Sequence, residues 1–153
     1  MKPERLILFA VIAVTSGLAG CAANSVDSDT AWDRYLEFEA ALDNQGMELD
    51  FKPYFTEHAY ADVEEASAED LPYVKGMLAY PLYFDETYGH AEKGDVERRC
   101  LTVNGQTSRG DTGSLSIEFV QQNGLKMNDA NMLFVDSLDE LPGEAQCPEE
   151  TRF

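Results

Sequence analysis

One segment near the C-terminus constrains the fold of this chain more than any other. Residues 114–122 alternate between apolar and polar side chains, which is the pattern of a half-buried β-strand. Asn123 and Gly124 follow, and both tolerate the positive φ that a tight hairpin turn requires. The chain then returns along 125–135, with a break or bulge expected near 128–131. This pattern predicts an antiparallel hairpin.

A further strand is expected upstream of the hairpin. Residues 96–103 form a strand candidate, and the turn signal Asn104-Gly105 begins a loop rich in glycine, serine and aspartate that extends through Gly113. Whether residues 81–88 also pair with this sheet is left open by their sequence.

The preceding part of the chain has helical periodicity instead. Apolar residues recur at three- and four-residue spacing between 32 and 42, behind a capping Asp29 or Thr30, and Asn44-Gln45-Gly46 predicts the end of this helix. A short second helix is expected around 54–58.

A third helix is expected after Ser67, which can cap it, and Pro72 suits its first turn. Apolar residues within 74–78 keep the helical spacing, and Pro81 marks the end. Helices followed by antiparallel strands predict an α+β domain over residues 31–137, with the apolar faces of the helices on one side of the sheet.

Two stretches of sequence carry a family resemblance. The order of elements, together with FKPYFT at 51–56 and IEFVQQNGLKM at 117–127, resembles small lipoproteins of the nuclear-transport-factor-2-like superfamily, which have a cystatin-like cone. The resemblance implies a curved antiparallel sheet that wraps a long helix and encloses a pocket. A tryptophan is common in the terminal hairpin of that superfamily, whereas Leu125 and Met127 stand here.

The first twenty residues have the composition of an export signal. Lys2 and Arg5 form a basic start, residues 6–14 an unbroken apolar run, and small residues precede Cys21. The run is well short of the roughly 20 residues that a membrane-spanning helix needs. We therefore interpret residues 1–20 as a signal peptide.

The residues Leu18-Ala19-Gly20-Cys21 resemble the lipobox of bacterial lipoproteins. The resemblance implies cleavage before Cys21 and lipid, including fatty acyl chains such as palmitate, on its thiol. Because Ala22 follows and not Asp, it also implies the outer membrane, with the domain facing the periplasm. Residues 21–30 are short and polar, as expected of a flexible tether.

The formal net charge of the chain is −18. The signal peptide carries two basic residues and one acidic residue, so its removal makes the chain one unit more negative. This acidity argues against nucleic acid or anionic lipid as a direct partner, since both would repel the domain. The acidic residues are scattered, and we interpret them as a solvated surface or an adaptation to salt.

Three cysteines must be assigned. With Cys21 lipidated, Cys100 and Cys147 remain as a pair in an oxidising compartment, where a disulfide is expected. It would close a loop of about 48 residues and stabilise the fold by roughly 4 kcal/mol. It would also pin the tail, residues 138–153, to a strand. The cysteines have no metal-ligand or redox spacing, and no cofactor is expected.

Aromatic residues concentrate between the first helix and the sheet. A cone-shaped fold could line a pocket with them, with tyrosine hydroxyls orienting a small apolar molecule. The simpler interpretation, which we favour, is that these rings form the core between helices and sheet. The tyrosines considered for the pocket are Tyr54, Tyr60, Tyr73, Tyr80 and Tyr83.

An acid/base pair is conceivable on the second helix. His58 and Asp62 would share one face if the helix extended that far, so the carboxylate could orient the imidazole. A surface histidine beside a solvated aspartate is the simpler interpretation. His90 lies in an expected polar loop, and no nucleophile motif accompanies either histidine. No catalytic set is therefore assigned.

Three functions are compatible with these features. We prefer a non-enzymatic envelope lipoprotein whose domain binds a partner protein or a small apolar ligand. The first alternative is an isomerase- or hydratase-like enzyme that uses His58 and Asp62, which requires His58 to face an enclosed cavity. The second is a structural accessory of envelope assembly, which a cone filled by side chains would favour.

Overall fold

The structure is a computed structural model, and it describes residues 30–152. The predicted signal peptide, Cys21 and nearly all of the predicted tether lie outside the described residues. Three α-helices precede four antiparallel strands within the described part of the chain, so the predicted α+β class is confirmed. These elements are α1 (Ala31–Gln45), α2 (Glu57–Glu65), α3 (Leu71–Leu78), β1 (Glu86–Gly94), β2 (Arg98–Gln106), β3 (Thr112–Gln121) and β4 (Leu125–Val135).

The strands form a meander in the order β1-β2-β3-β4, in which every neighbouring pair is antiparallel. The predicted hairpin joins β3 to β4, and its turn residues Asn123 and Gly124 have φ of 57° and 106°. The register shifts where Glu118 pairs with Asp129 but Phe119 pairs with Met127, which places the predicted bulge at Asn128.

Helix α1 begins and ends as its sequence indicates. The Thr30 hydroxyl accepts a hydrogen bond from the Asp33 amide at 3.0 Å, and Gly46, with φ of 58°, follows the last turn. Tyr35, Phe38 and Leu42 recur along one face, and all are buried. This face packs on the sheet.

The second helix was predicted too early in the chain. The short helix expected at 54–58 is instead a 3₁₀ turn at Lys52–Tyr54 followed by α2, which starts at Glu57. The Thr56 hydroxyl fixes this start, since it accepts a hydrogen bond from the Ala59 amide at 3.1 Å. The third helix likewise starts later, because a turn stabilised by Ser67 precedes it.

Aromatic rings fill the space between α1 and the sheet. The Phe38 ring lies 5.1 Å from that of Phe51 and 5.4 Å from that of Phe55, and both contacts are edge-to-face. All three rings are fully buried together with Phe119 of β3. The interpretation as core therefore holds for Phe51 and Phe55, but not for Tyr73, which is exposed.

The turn predicted at Asn104-Gly105 is wrong, because β2 continues through both residues to Gln106. Gly105 serves close packing: a Cβ there would lie 2.6 Å from Cγ of Phe84. The side-chain nitrogen Nδ2 of Asn104 donates to the carbonyl of Pro142 at 2.9 Å. The chain actually turns at 107–111, where the Thr107 amide donates to the Asp111 carbonyl.

The first strand, β1, replaces the polar loop that was expected around His90. This strand is mostly polar and largely exposed, so it lacks the alternation that marks β3. His90 pairs with Val103 of β2, and its ring stacks on that of Trp32 with centroids 3.8 Å apart. The expectation of a loop is therefore wrong, and His90 lies against the start of α1.

The tail that follows β4 lies against the sheet face opposite α1. A disulfide joins Cys100 of β2 to Cys147, as expected, with a Cα–Cα distance of 5.1 Å. The Asn131 side chain donates to the hydroxyl of Thr151 at 2.8 Å, and Lys93 pairs with Glu150 at 2.6 Å. Both faces of the sheet are thus covered, one by helices and one by the tail.

Candidate functional site

A groove lies where the helical layer stops short of β4. It has a volume of about 210 Å³, and its walls come from the end of α3, the 3₁₀ turn at Tyr80–Tyr83, and the sheet. Methionine, leucine, alanine and tyrosine side chains form most of the wall, and polar atoms make up slightly more than half of its exposed surface. The groove can therefore hold a side chain of a ligand by apolar contact and by hydrogen bonding. The lining residues are Met77, Tyr80, Tyr83, Leu115, Ala130, Asn131 and Met132.

Two of the tyrosines considered for a pocket meet in this groove. The rings of Tyr80 and Tyr83 are 5.8 Å apart in an edge-to-face arrangement, and the Tyr83 hydroxyl donates to the Met77 carbonyl at 2.5 Å. Burial raises the pKa of both phenols above the ordinary value. They are therefore neutral at physiological pH and act as apolar walls with a hydrogen-bonding tip.

The remaining three tyrosines lie elsewhere. The ring of Tyr54 packs on that of Phe38, with centroids 4.8 Å apart, and the guanidinium of Arg34 lies over the Tyr54 ring. Tyr60 lines a separate cavity of about 220 Å³ together with several charged side chains. Tyr73 is 74% exposed on α3. The five tyrosines thus do not form one pocket, and only Tyr80 and Tyr83 share the groove.

His58 and Asp62 border a neighbouring cavity of about 330 Å³, which shares Tyr80 and Ala130 with the groove. Both residues lie on α2, as expected, but both side chains are exposed. The acid/base hypothesis requires His58 to face an enclosed cavity, and its exposure does not meet that requirement. The cavity instead extends the groove with an acidic end, since Asp129 also lines it.

The outer edge of β4 is covered over only part of its length. The Thr56 amide donates to the Met127 carbonyl at 2.9 Å on the side away from β3. Because alternate residues of a strand direct their backbone groups to the same side, Ala130, Met132 and Phe134 present theirs to this edge beyond the bulge. No other described element forms a backbone hydrogen bond with them there.

Sequence reasoning did not find this edge. Met132 and Phe134 belong to a strand that was predicted, but the pattern did not show that β4 ends the sheet. The absence of any further strand signal after Val135 was the one usable indication. Met77 lies at helical spacing with Val74 and Leu78, a pattern that gave no sign that its side chain would be 44% exposed beside the groove.

Residues 30–152 contain no cluster of three or more metal-ligating side chains. In the same part of the chain, no helix has both the length and the apolar character to cross a membrane. Comparisons with family models, with curated proteins and with solved structures find no match to this chain.

Proposed function

We propose that this chain is a lipid-anchored envelope lipoprotein whose α+β domain binds a partner protein at the groove between β4 and Tyr80–Tyr83. The anchor rests on the sequence Leu18-Ala19-Gly20-Cys21 at the end of an apolar run. The binding role rests on one observation: a groove walled by tyrosine and methionine side chains is continuous with a strand edge whose outward backbone groups, from Ala130 to Phe134, bond to the backbone of no described element.

A partner protein fits this site better than a small apolar ligand bound inside the domain. Phe38, Phe51, Phe55 and Phe119 occupy the space between α1 and the sheet, where a cone-shaped pocket would lie. The groove is open, and it continues along the sheet edge. An open site beside a strand edge suits a polypeptide, because a polypeptide supplies both side chains and backbone hydrogen bonds.

Exposed apolar side chains near the groove also favour a partner protein over a small ligand. Met77 and Leu82, on the helical side, are 44% and 51% exposed, and Phe134 of β4 is 58% exposed. Isolated exposed apolar side chains are common, but those flanking an open edge add area that a partner can bury. An acid/base enzyme gains no support here, since His58 is exposed and no hydrogen bond joins it to Asp62 among the described residues.

Site-specific photo-crosslinking in the native host tests this function. Benzoylphenylalanine replaces Met77 beside the groove, and in a matched control it replaces Val96, which is 71% exposed in the β1–β2 turn at another corner of the sheet. We expect a discrete crosslinked protein from position 77 that is absent from position 96. No adduct at position 77, or the same adduct at both positions, would reject a partner at the groove and leave a structural accessory as the better reading.

A further inference from the structure

The unpaired edge of β4 carries an inference that rests on the proposed function and makes its partner more specific. We propose that a basic segment of the partner protein binds this edge in an extended conformation, as a fifth strand of the sheet. The segment pairs with the carbonyl of Ala130 and with the amides and carbonyls of Met132 and Phe134, and it places an apolar side chain against Tyr80 and Tyr83.

The backbone groups at this edge are spaced for strand addition. Ala130, Met132 and Phe134 lie opposite Ile117, Leu115 and Gly113 of β3 in regular register, so the strand is continuous beyond the bulge. One of these amides, that of Ala130, is occupied by the Oδ1 atom of Asp129 at 2.9 Å. The peptide groups further along the strand face outward with no backbone partner among the described residues.

The edge also lacks the devices that proteins use to block strand addition. Exposed edges are commonly protected by charged residues, by proline or by a bulge along the strand. Residues 130–135 contain neither a charged residue nor a proline. The bulge at Asn128 lies near the end of the edge that Thr56 already covers. The lack of protection along these six residues is therefore consistent with an edge that binds a strand of a partner protein.

Charge selects a basic segment over other occupants. Asp62 borders the cavity that adjoins one end of the groove, where Arg152 offsets the charge of Asp129, and Asp136 follows β4 at the other end. The chain carries a formal charge of −18, so two copies repel each other at long range, which argues against a second copy as the occupant.

A random decapeptide library displayed on phage tests the inference on the mature protein purified in detergent from its host. We expect enriched peptides with lysine or arginine near the ends and alternating apolar residues between them. Hydrogen exchange at the amides of Met132 and Phe134 should slow at least tenfold when a synthetic copy of an enriched peptide is added. Enriched acidic or uncharged peptides, no enrichment, or protection elsewhere on the domain would overturn the inference.

Two variants isolate the edge from its side chains. Phe134→Pro removes a backbone N–H that faces outward, so it should leave the pairing with β3 intact, and Phe134→Ala is the control for loss of the ring. Peptide binding should fall at least tenfold in Phe134→Pro relative to Phe134→Ala. If Phe134→Pro does not fold, Asp136→Lys serves in its place, and it should weaken binding of the basic peptide several-fold.

The outcomes also separate the two proposals. Equal peptide binding by Phe134→Pro and Phe134→Ala, with the crosslink at position 77 retained in both, would reject strand addition and leave the partner site intact. If the protein with benzoylphenylalanine at position 77 and no other substitution gives no crosslink, the partner site itself is rejected. Concentration-dependent dimers in analytical ultracentrifugation, abolished by Phe134→Pro, would identify a second copy as the occupant and overturn the basic partner.

Discussion

Thr102 is a polar residue that is only 1% exposed, and two hydrogen bonds offset the cost of its burial. Its hydroxyl accepts from the Gln146 amide at 2.8 Å and donates to the Gln146 carbonyl at 3.2 Å. Ser116 lies opposite Thr102 on β3 and is equally buried, but its hydroxyl has no protein partner among the described residues. Two adjacent hydroxyls on one sheet face thus differ in the hydrogen bonds that they contribute to the stability of the fold.

This difference yields a prediction for single substitutions. Thr102→Val should lower the free energy of unfolding by about 1–3 kcal/mol, because it leaves the partly buried amide of Gln146 without its acceptor. Ser116→Ala should change it by less than about 1 kcal/mol, since no protein hydrogen bond is lost. Urea denaturation at pH 7 with the disulfide intact measures both. Equal losses in the two variants would contradict the assignment of these hydrogen bonds.

Among the elements, the C-terminal tail depends most on charged contacts. Arg98 pairs with Glu149 at 2.5 Å and Lys93 with Glu150 at 2.6 Å, so two basic residues of the sheet hold two adjacent acidic residues of the tail. The hydrogen bond from Arg98 lowers the pKa of Glu149, and the hydrogen bond from Lys93 lowers that of Glu150. The disulfide at Cys147 holds the same segment covalently.

Acid should therefore loosen the tail before it unfolds the domain. The folded-state pKa values of Glu149 and Glu150 lie below the ordinary 4.5, so their contribution is complete above pH 4.5 and is lost as pH falls through the folded values. Hydrogen exchange of residues 144–152, corrected for intrinsic rates, should show less protection at pH 3 than at pH 6. In the Glu149→Gln, Glu150→Gln double variant this difference should shrink. If the double variant loses as much protection between pH 6 and pH 3 as the unaltered protein does, other carboxylates cause the effect.

Sequence predicted those elements in which local pattern and tertiary contact agree. The β3–β4 hairpin was foreseen because its alternation and its Asn123-Gly124 turn point to the same structure. Helix α1 was foreseen because a cap, an apolar face and a terminal glycine coincide. In both elements, residues close in sequence carry all the information required.

Prediction failed where distant contacts decide the structure. Gly105 resembles a turn residue, but the ring of Phe84, far from it in sequence, requires a strand without a side chain there. The polar strand β1 forms because β2 supplies its hydrogen bonds, and not because of its own pattern. The groove at β4 depends on sheet order and on where the helices end, which no local motif encodes.

At the scale of the whole molecule, the charge and the proposed lipid anchor would act in opposite directions. A formal charge of −18 repels the domain from anionic headgroups, so no electrostatic attachment adds to a lipid on Cys21. Each buried methylene of an acyl chain contributes about 0.8 kcal/mol, so two or more chains hold a protein firmly at a membrane. With the proposed anchor on Cys21, this repulsion would keep the β4 edge away from the membrane surface and accessible to a partner.

Membrane association should therefore depend on Cys21 alone. Cys21→Ala should move the protein almost entirely from the membrane pellet to the soluble fraction of lysed cells, because no second attraction to the surface remains. Ala22→Asp is the matched control: the lipid stays, but by the lipobox resemblance the protein should shift from the outer to the inner membrane on a sucrose gradient. An unchanged membrane fraction for Cys21→Ala would reject the lipid anchor. An unchanged gradient position for Ala22→Asp would reject only the sorting signal, since the anchor does not depend on it.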